Sequence, residues 1–334
     1  MKRDVSLDIM RGLAILSMVE IHSLLHFRPE NQFIYLVMRS LGTLAAPFFL
    51  ISAGMGVAYL SDKYIEKINV FRQILVKRGF FLIIFASALG LFYLDLSRIF
   101  DWDIFTFIGF MYLIIAMIGR NKYLILIFTF VSIILNLILP VDYPIILRAG
   151  SFPIIPFASF FLIGIIIKGL KPILERPKIQ IIALFISLVI FIWVIISYSK
   201  DIINFSRYDV WSFRGTLGIV SLYFFILSII RAVINKTPKI LTFFKPLLKI
   251  GNLSFSVYYI QYFLLIISPK ILQLIFKCPE VILINSFFWG ILLLIIFFLL
   301  YIIVLVWERF NFIFSLEWFM NRYITTRSSF SQNR

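Results

Sequence analysis

Residues 4–27 read DVSLDIMRGLAILSMVEIHSLLHF, an apolar run that carries both histidines of the chain near one end. Taken as one helix at about 100° per residue with Asp8 at zero, Arg11 falls at about 300°, His22 at about 320° and His26 back at zero. Four ionisable groups thus share a narrow face among apolar neighbours. At roughly 1.5 Å per residue, Asp8 and His26 stand about 27 Å apart, close to the thickness of a bilayer's hydrocarbon core. An ionisable group in a membrane helix is expensive unless it faces protein or a wet cavity, which makes each a functional candidate. Each also has a plainer reading. Asp8 and Arg11, three apart, suit a structural pair at the interface; Arg11 ahead of Gly12 suits a packing point; His26, one turn beyond His22, suits an interfacial residue. His22 stands out because a buried imidazole needs hydrogen-bond partners that hydrocarbon lacks. Glu20 lies about 160° from it around the wheel and points to a different neighbour.

With 334 residues, 62% of them hydrophobic, and a mean hydropathy of +1.02, the chain has more apolar surface than a soluble core could cover. The spans read as residues 4–27, 33–60, one ending near 94, 104–118, 123–139, one ending near 168, 179–198, 215–234, 251–268 and 281–307. Lys2 and Arg3 precede the first run without a small-residue cleavage site after it, so that run is expected to be a retained helix. Pro47, Gly54 and Gly56 fall inside the second span, where small residues allow close helix contact. A proline-rich stretch, VDYPIILRAGSFPIIPF, reads as an outer loop.

The predicted fold is all-α: a polytopic integral membrane protein of about ten transmembrane helices with both termini cytoplasmic. Residues 1–319 form one transmembrane domain, and 320–334 a mobile cytoplasmic tail. With the N-terminus inside, the basic clusters at 63–78, 168–178 and 231–249 all fall on the inner side, which then holds nearly all of the net charge of +16. Basic character of this kind is membrane topology and removes the case for nucleic acid. Those loops suit anionic lipid headgroups or an anionic cytoplasmic substrate. A single cysteine, Cys278, excludes an internal disulfide, and two histidines argue against a multi-histidine metal site, although carboxylates could hold a hard cation. No metal site is predicted.

Phosphate-binding glycine loops, paired zinc motifs and serine-nucleophile elbows are missing from the sequence. What remains is an ordered set: RGLAILSMVEIH in the first span, APFFLISAGMG in the second, FRQILVKRG before the third, FPIIPFASFFLIGIIIKG around the sixth and IGNLSFSVYYIQ in the ninth. Together, over residues 3–265, these resemble the multi-pass membrane acyltransferases, in particular the group similar to heparan-α-glucosaminide N-acetyltransferase and YeiB-like proteins, and more distantly acyltransferase family 3.

The resemblance implies transfer of an acyl group, commonly acetyl from cytoplasmic acetyl-coenzyme A, to a hydroxyl or amine of a saccharide or lipid-linked acceptor. It places the active site at the polar residue near the outer end of the arginine-glycine helix, here His22, with His26, Arg11 and Asp8 on the same stripe. It also assigns the donor to the basic stretch with Arg72, Lys77 and Arg78. Gln261 stands where many such proteins carry histidine. By chemical type, Arg39, Ser254, Tyr258 and Gln261 are candidates for the acceptor or oxyanion side. Imidazole suits proton removal near neutral pH, so His22 is expected to act as general base or, alternatively, as acyl carrier. A transporter or lipid flippase, with the polar stripe lining a substrate or proton path and Pro47 marking a broken helix, is the competing reading. An inactive scaffold is a third. Membrane lipids are the other expected partners, and the cytoplasmic membrane the expected location.

Overall fold

The computed structural model describes residues 4–90, 103–138, 152, 154–174, 176–198, 212–267, 269, 277 and 281–325. Its elements in chain order are α1 (Val5–Ser23), β1 (Phe27–Pro29), α2 (Gln32–Gly42), α3 (Ala45–Lys63), α4 (Ile68–Gly90), α5 (Ile104–Ile118), α6 (Lys122–Ile138), α7 (Ile154–Gly169) and α8 (Lys171–Leu174). They continue with α9 (Pro177–Tyr198), α10 (Phe213–Lys236), α11 (Lys245–Asn252), α12 (Ser254–Tyr262), β2 (Ile282–Ile284), α13 (Ser286–Arg309) and α14 (Leu316–Phe319). The proline-rich stretch 141–151, the link 199–211 and Cys278 lie outside the described residues. Among the described residues the fold is all-α apart from one two-stranded ribbon.

Among the described residues, three helical stretches are long and apolar enough to cross a membrane: Gln32–Lys63, Phe213–Lys236 and Ser286–Arg309. The pair α11 and α12, extended by a π-helical turn to Ile267, makes a fourth if its bend of 89° is counted within one span. These lengths suit an integral membrane protein. Helix α1 differs from the three in carrying Asp8, Arg11 and Glu20 within 19 residues, and it is sheltered by protein, with Asp8, Ile9 and Met10 all buried.

Four boundaries depart from the sequence reading, each for a local reason. Helix α1 stops at Ser23, whose hydroxyl donates to the Glu20 carbonyl at 2.7 Å. The amides of Leu25 and His26 then reach back only three residues, to His22 and Ser23, which tightens and ends the helix. His26 is therefore off the wheel that placed it with Asp8 and Arg11. The second span is interrupted between α2 and α3 by a turn at Thr43 and Leu44, though the two together still make one stretch long enough to cross a membrane. Pro47 has no N–H to offer the Thr43 carbonyl four residues back, and so sits in the first turn of a new helix. The ninth span bends at Leu253, and the tenth starts as a strand before Asn285 caps α13, its side chain accepting from the Phe287 amide at 3.0 Å.

The chain divides into two units. One comprises Leu50–Ser228 and Met320–Arg334. Within it α3 and α7 touch backbone to backbone: a Cβ on Gly54 would overlap the Phe161 carbonyl, and one on Gly164 the Ile51 carbonyl. Tyr223 of α10 is fully buried and shares a hydrogen bond of 2.9 Å with Ser52. Lys168 pairs with Asp62. Of the 320–334 tail, Met320–Thr325 forms a π-helical turn that buries Met320 and Ile324, and 326–334 lie outside the described residues.

The other unit comprises Lys2–Phe49 and Ile229–Phe319. Here α1 lies directly on α11, because Gly12 faces the Leu247 carbonyl and Gly251 the Asp8 carbonyl with no room for a Cβ on either. Arg231 holds the start of α1, bonding Asp4 at 3.1 Å and Ser6 at 3.2 Å. The strands pair in parallel, Phe27 opposite Ile282, Arg28 opposite Leu283 and Pro29 opposite Ile284. Lys249 of α11 pairs with Glu308 of α13.

Candidate active site around His22

The last turn of α1 delivers His22, and the C-terminal half of α12 delivers what surrounds it. Tyr258, Gln261 and Tyr262 are spaced i, i+3, i+4, so they share one face of α12. His22 Nδ1 lies 3.0 Å from Gln261 Oε1. The Tyr258 and Tyr262 rings stack on each other at 5.8 Å. Both meet the imidazole edge-on, at 6.3 Å and 5.7 Å. Gln261 is fully buried and Tyr258 nearly so, whereas His22 is half-buried.

The amide carbonyl at Nδ1 fixes the tautomer: Nδ1 carries the proton and donates, leaving the lone pair on Nε2. The other end of the same amide, Gln261 Nε2, is buried without a hydrogen-bond acceptor among the described residues. An amide donor in that condition lacks about 1–3 kcal/mol of hydrogen bonding, so it is suited to an oxygen that arrives with a ligand. A lone pair on an oriented imidazole beside an available N–H is the pairing that proton abstraction and oxyanion stabilisation require.

Of the residues singled out from sequence, His22, Gln261 and Tyr258 come together. Ser254 is buried in the first turn of α12, seven residues and about 10 Å along the helix from Gln261. Arg39 is half-buried in the last turn of α2. Asp8 and Arg11 form an ion pair of 3.4 Å near the other end of α1, about 21 Å from His22 along the axis. His26 is buried in the turn after α1, its carbonyl accepting from Ile282 N at 2.8 Å, so its backbone anchors the ribbon. Glu20 is no partner of His22; its Oε1 is buried and unbonded among the described residues.

Arg72, Lys77 and Arg78 belong to the other unit and sit inside α4, not in a loop ahead of it. At about 100° per residue they spread around the helix, so they do not form a single cradle on one face. Arg72 packs by Gly119, and Arg78 reaches Asn321 at 3.4 Å.

Two residues were not singled out from sequence, Tyr262 and Glu317, and only the first left a signal there. Tyr262 was legible as the i+4 partner of Tyr258. Glu317, a lone carboxylate within SLEWF, is half-buried against the start of α12, where Oε1 accepts from Phe255 N at 2.7 Å and Oε2 from the Ser256 hydroxyl at 2.6 Å. Burial pushes its pKa up, while these donors hold it down and the rise prevails. In comparison with known proteins, no family model matches the chain, and neither does any curated protein.

Proposed function

We propose that the chain is a membrane-embedded acyltransferase moving an acetyl or other short acyl group from cytoplasmic acyl-coenzyme A to a hydroxyl or amine of a saccharide or lipid-linked acceptor. The observation that carries this reading is the 3.0 Å contact from His22 Nδ1 to Gln261 Oε1, which leaves Nε2 free to take a proton. His22 Nε2 removes the acceptor's proton as its oxygen or nitrogen attacks the thioester carbon. Gln261 Nε2 donates to the carbonyl oxygen as negative charge gathers there. The C–S bond then breaks, and the imidazolium returns its proton to the departing thiolate. Transient acylation of His22 Nε2 by the donor is the covalent version of the same exchange.

In this reading the chain crosses the cytoplasmic membrane about ten times with both termini inside, following its basic loops. Arg72, Lys77 and Arg78, spread around α4, are candidates to meet the donor's phosphates singly, each by a charge-assisted hydrogen bond. The stacked Tyr258 and Tyr262 present ring edges and faces to an acceptor beside His22. Protein in liposomes, given labelled acetyl-coenzyme A and an envelope saccharide extract, should release coenzyme A and label the acceptor fraction. Absence of both in folded protein, across hydroxyl and amine acceptors, refutes the reading.

One observation favours transport instead: the 89° bend between α11 and α12, since broken spans near the midplane are a transporter device. Accumulation of substrate inside liposomes without any acyl donor would decide for it.

A further inference from the structure

We propose that Glu317 is a positioning residue for the His22 site: from α14 it caps the N-terminus of α12 and thereby sets where Gln261 meets His22. This rests on the reading of His22 and Gln261 as a working pair. Helix α12 begins immediately after the bend at Leu253, a residue with φ of −112° and ψ of 34° and no side-chain oxygen to accept the first-turn amides. Helix starts leave such amides orphaned unless something accepts from them. Glu317 does so from outside the helix. Its Oε1 accepts from Phe255 N at 2.7 Å and Ser256 N at 3.4 Å, and its Oε2 accepts from Ser256 Oγ at 2.6 Å. Ser256 Oγ in turn accepts from Leu316 N at 2.9 Å, so α14 and α12 are bonded in both directions.

A serine or aspartate at position 253 would satisfy the same amides locally, without a carboxylate brought in from another helix. Using a group 61–62 residues further along instead ties the start of α12 to the segment after α13. That segment is held in a costly conformation. Asn311, Phe312 and Phe314 adopt φ of 52°, 57° and 66°, left-handed values that disfavour side chains, above all phenylalanine. The turn is locked by Trp307 Nε1 donating to the Ile313 carbonyl at 2.7 Å and by the buried Ser315 hydroxyl accepting from Trp318 N at 3.0 Å. A strained turn that presents one carboxylate to one helix start is explained by what that helix carries. Gln261 lies under two turns from Ser256 on a single rigid helix, so tilt or slip at the capped end moves the amide against His22.

The chain has only two histidines, so imidazole nitrogen signals of histidine-labelled protein in detergent can be assigned from the spectrum of His22→Ala. Glu317→Ala should shift the His22 Nδ1 signal toward tautomer exchange while leaving His26 in place, and Glu317→Gln, which keeps an oxygen for the amides, should restore it. In turnover, Glu317→Ala should lower kcat on the order of 10- to 100-fold with KM nearly unchanged. If Glu317→Ala does not fold, Glu317→Asp, which withdraws the carboxylate by one methylene, is read in the same way. A His22 signal identical to wild type in the folded variant overturns the proposal. The spectrum decides this even if the wild-type protein transfers no acyl group, an outcome that would sink the acyltransferase reading alone.

Discussion

Replacing Gln261 with methionine separates stability from chemistry at this site. Methionine fills a similar volume without polar atoms. Two effects on folding oppose each other: the buried Gln261 Nε2, which has no acceptor in the wild type, disappears, while His22 Nδ1 loses the carbonyl at 3.0 Å. Each is about 1–3 kcal/mol, so the net change should lie within about 2 kcal/mol, and nearer zero because the half-buried His22 can recruit water. The catalytic effect has no such cancellation. Without the carbonyl, nothing holds the Nδ1–H tautomer, and the oxyanion donor is gone, so turnover should fall about 10²- to 10⁴-fold. Thermal melting in detergent and coenzyme A release measure the two quantities on one preparation. A variant that melts like wild type and turns over at the wild-type rate would refute the reasoning, because the amide would then serve neither role.

Other perturbations test the surrounding scaffold. Gly251→Ala drives a methyl group into the Asp8 carbonyl and should cost about 1–3 kcal/mol or more, seen as a lower melting temperature; an unchanged value would mean α1 and α11 are not in backbone contact. Tyr223→Phe removes the 2.9 Å partner of the buried Ser52 and should cost about 1–2 kcal/mol, checked by the same melt. Glu317 supplies a pH test. Its pKa is raised by burial above the ordinary 4.5, so the folded protein binds that proton more tightly than the unfolded chain. Its contribution is complete below about pH 4.5 and declines, by at most about 1.4 kcal/mol per pH unit, as pH rises through the folded value. The stability of wild type relative to Glu317→Gln should therefore fall from about pH 4 toward neutrality, and a rising difference contradicts the assignment.

Helix positions were largely legible because each run is a block of apolar residues bounded by charged or proline-containing stretches; α5, read as 104–118, is Ile104–Ile118. What hydropathy cannot register is a change of direction inside an apolar block. The bend at Leu253 and the interruption at Thr43 both fall inside stretches read as single spans, and the ribbon needs Phe27 to find Ile282, a pairing of distant segments. The same blindness misplaced His26: nothing between Ser23 and Pro29 looks like a stop, and the helix ends through a serine hydroxyl bonding back to Glu20. At the site, the scarcity of imidazole singled out His22, which meets Gln261 at 3.0 Å. Glu317 was not legible, since its role exists only through amides 61–62 residues away.

The most direct test of the account is acyl transfer by His22→Ala protein in liposomes, measured beside wild type as label moved from acetyl-coenzyme A to acceptor. The account expects a protein that melts like wild type, keeps the α1–α11 contact through Gly12 and Gly251, and transfers no label above background. Transfer at the wild-type rate by the folded variant would contradict it.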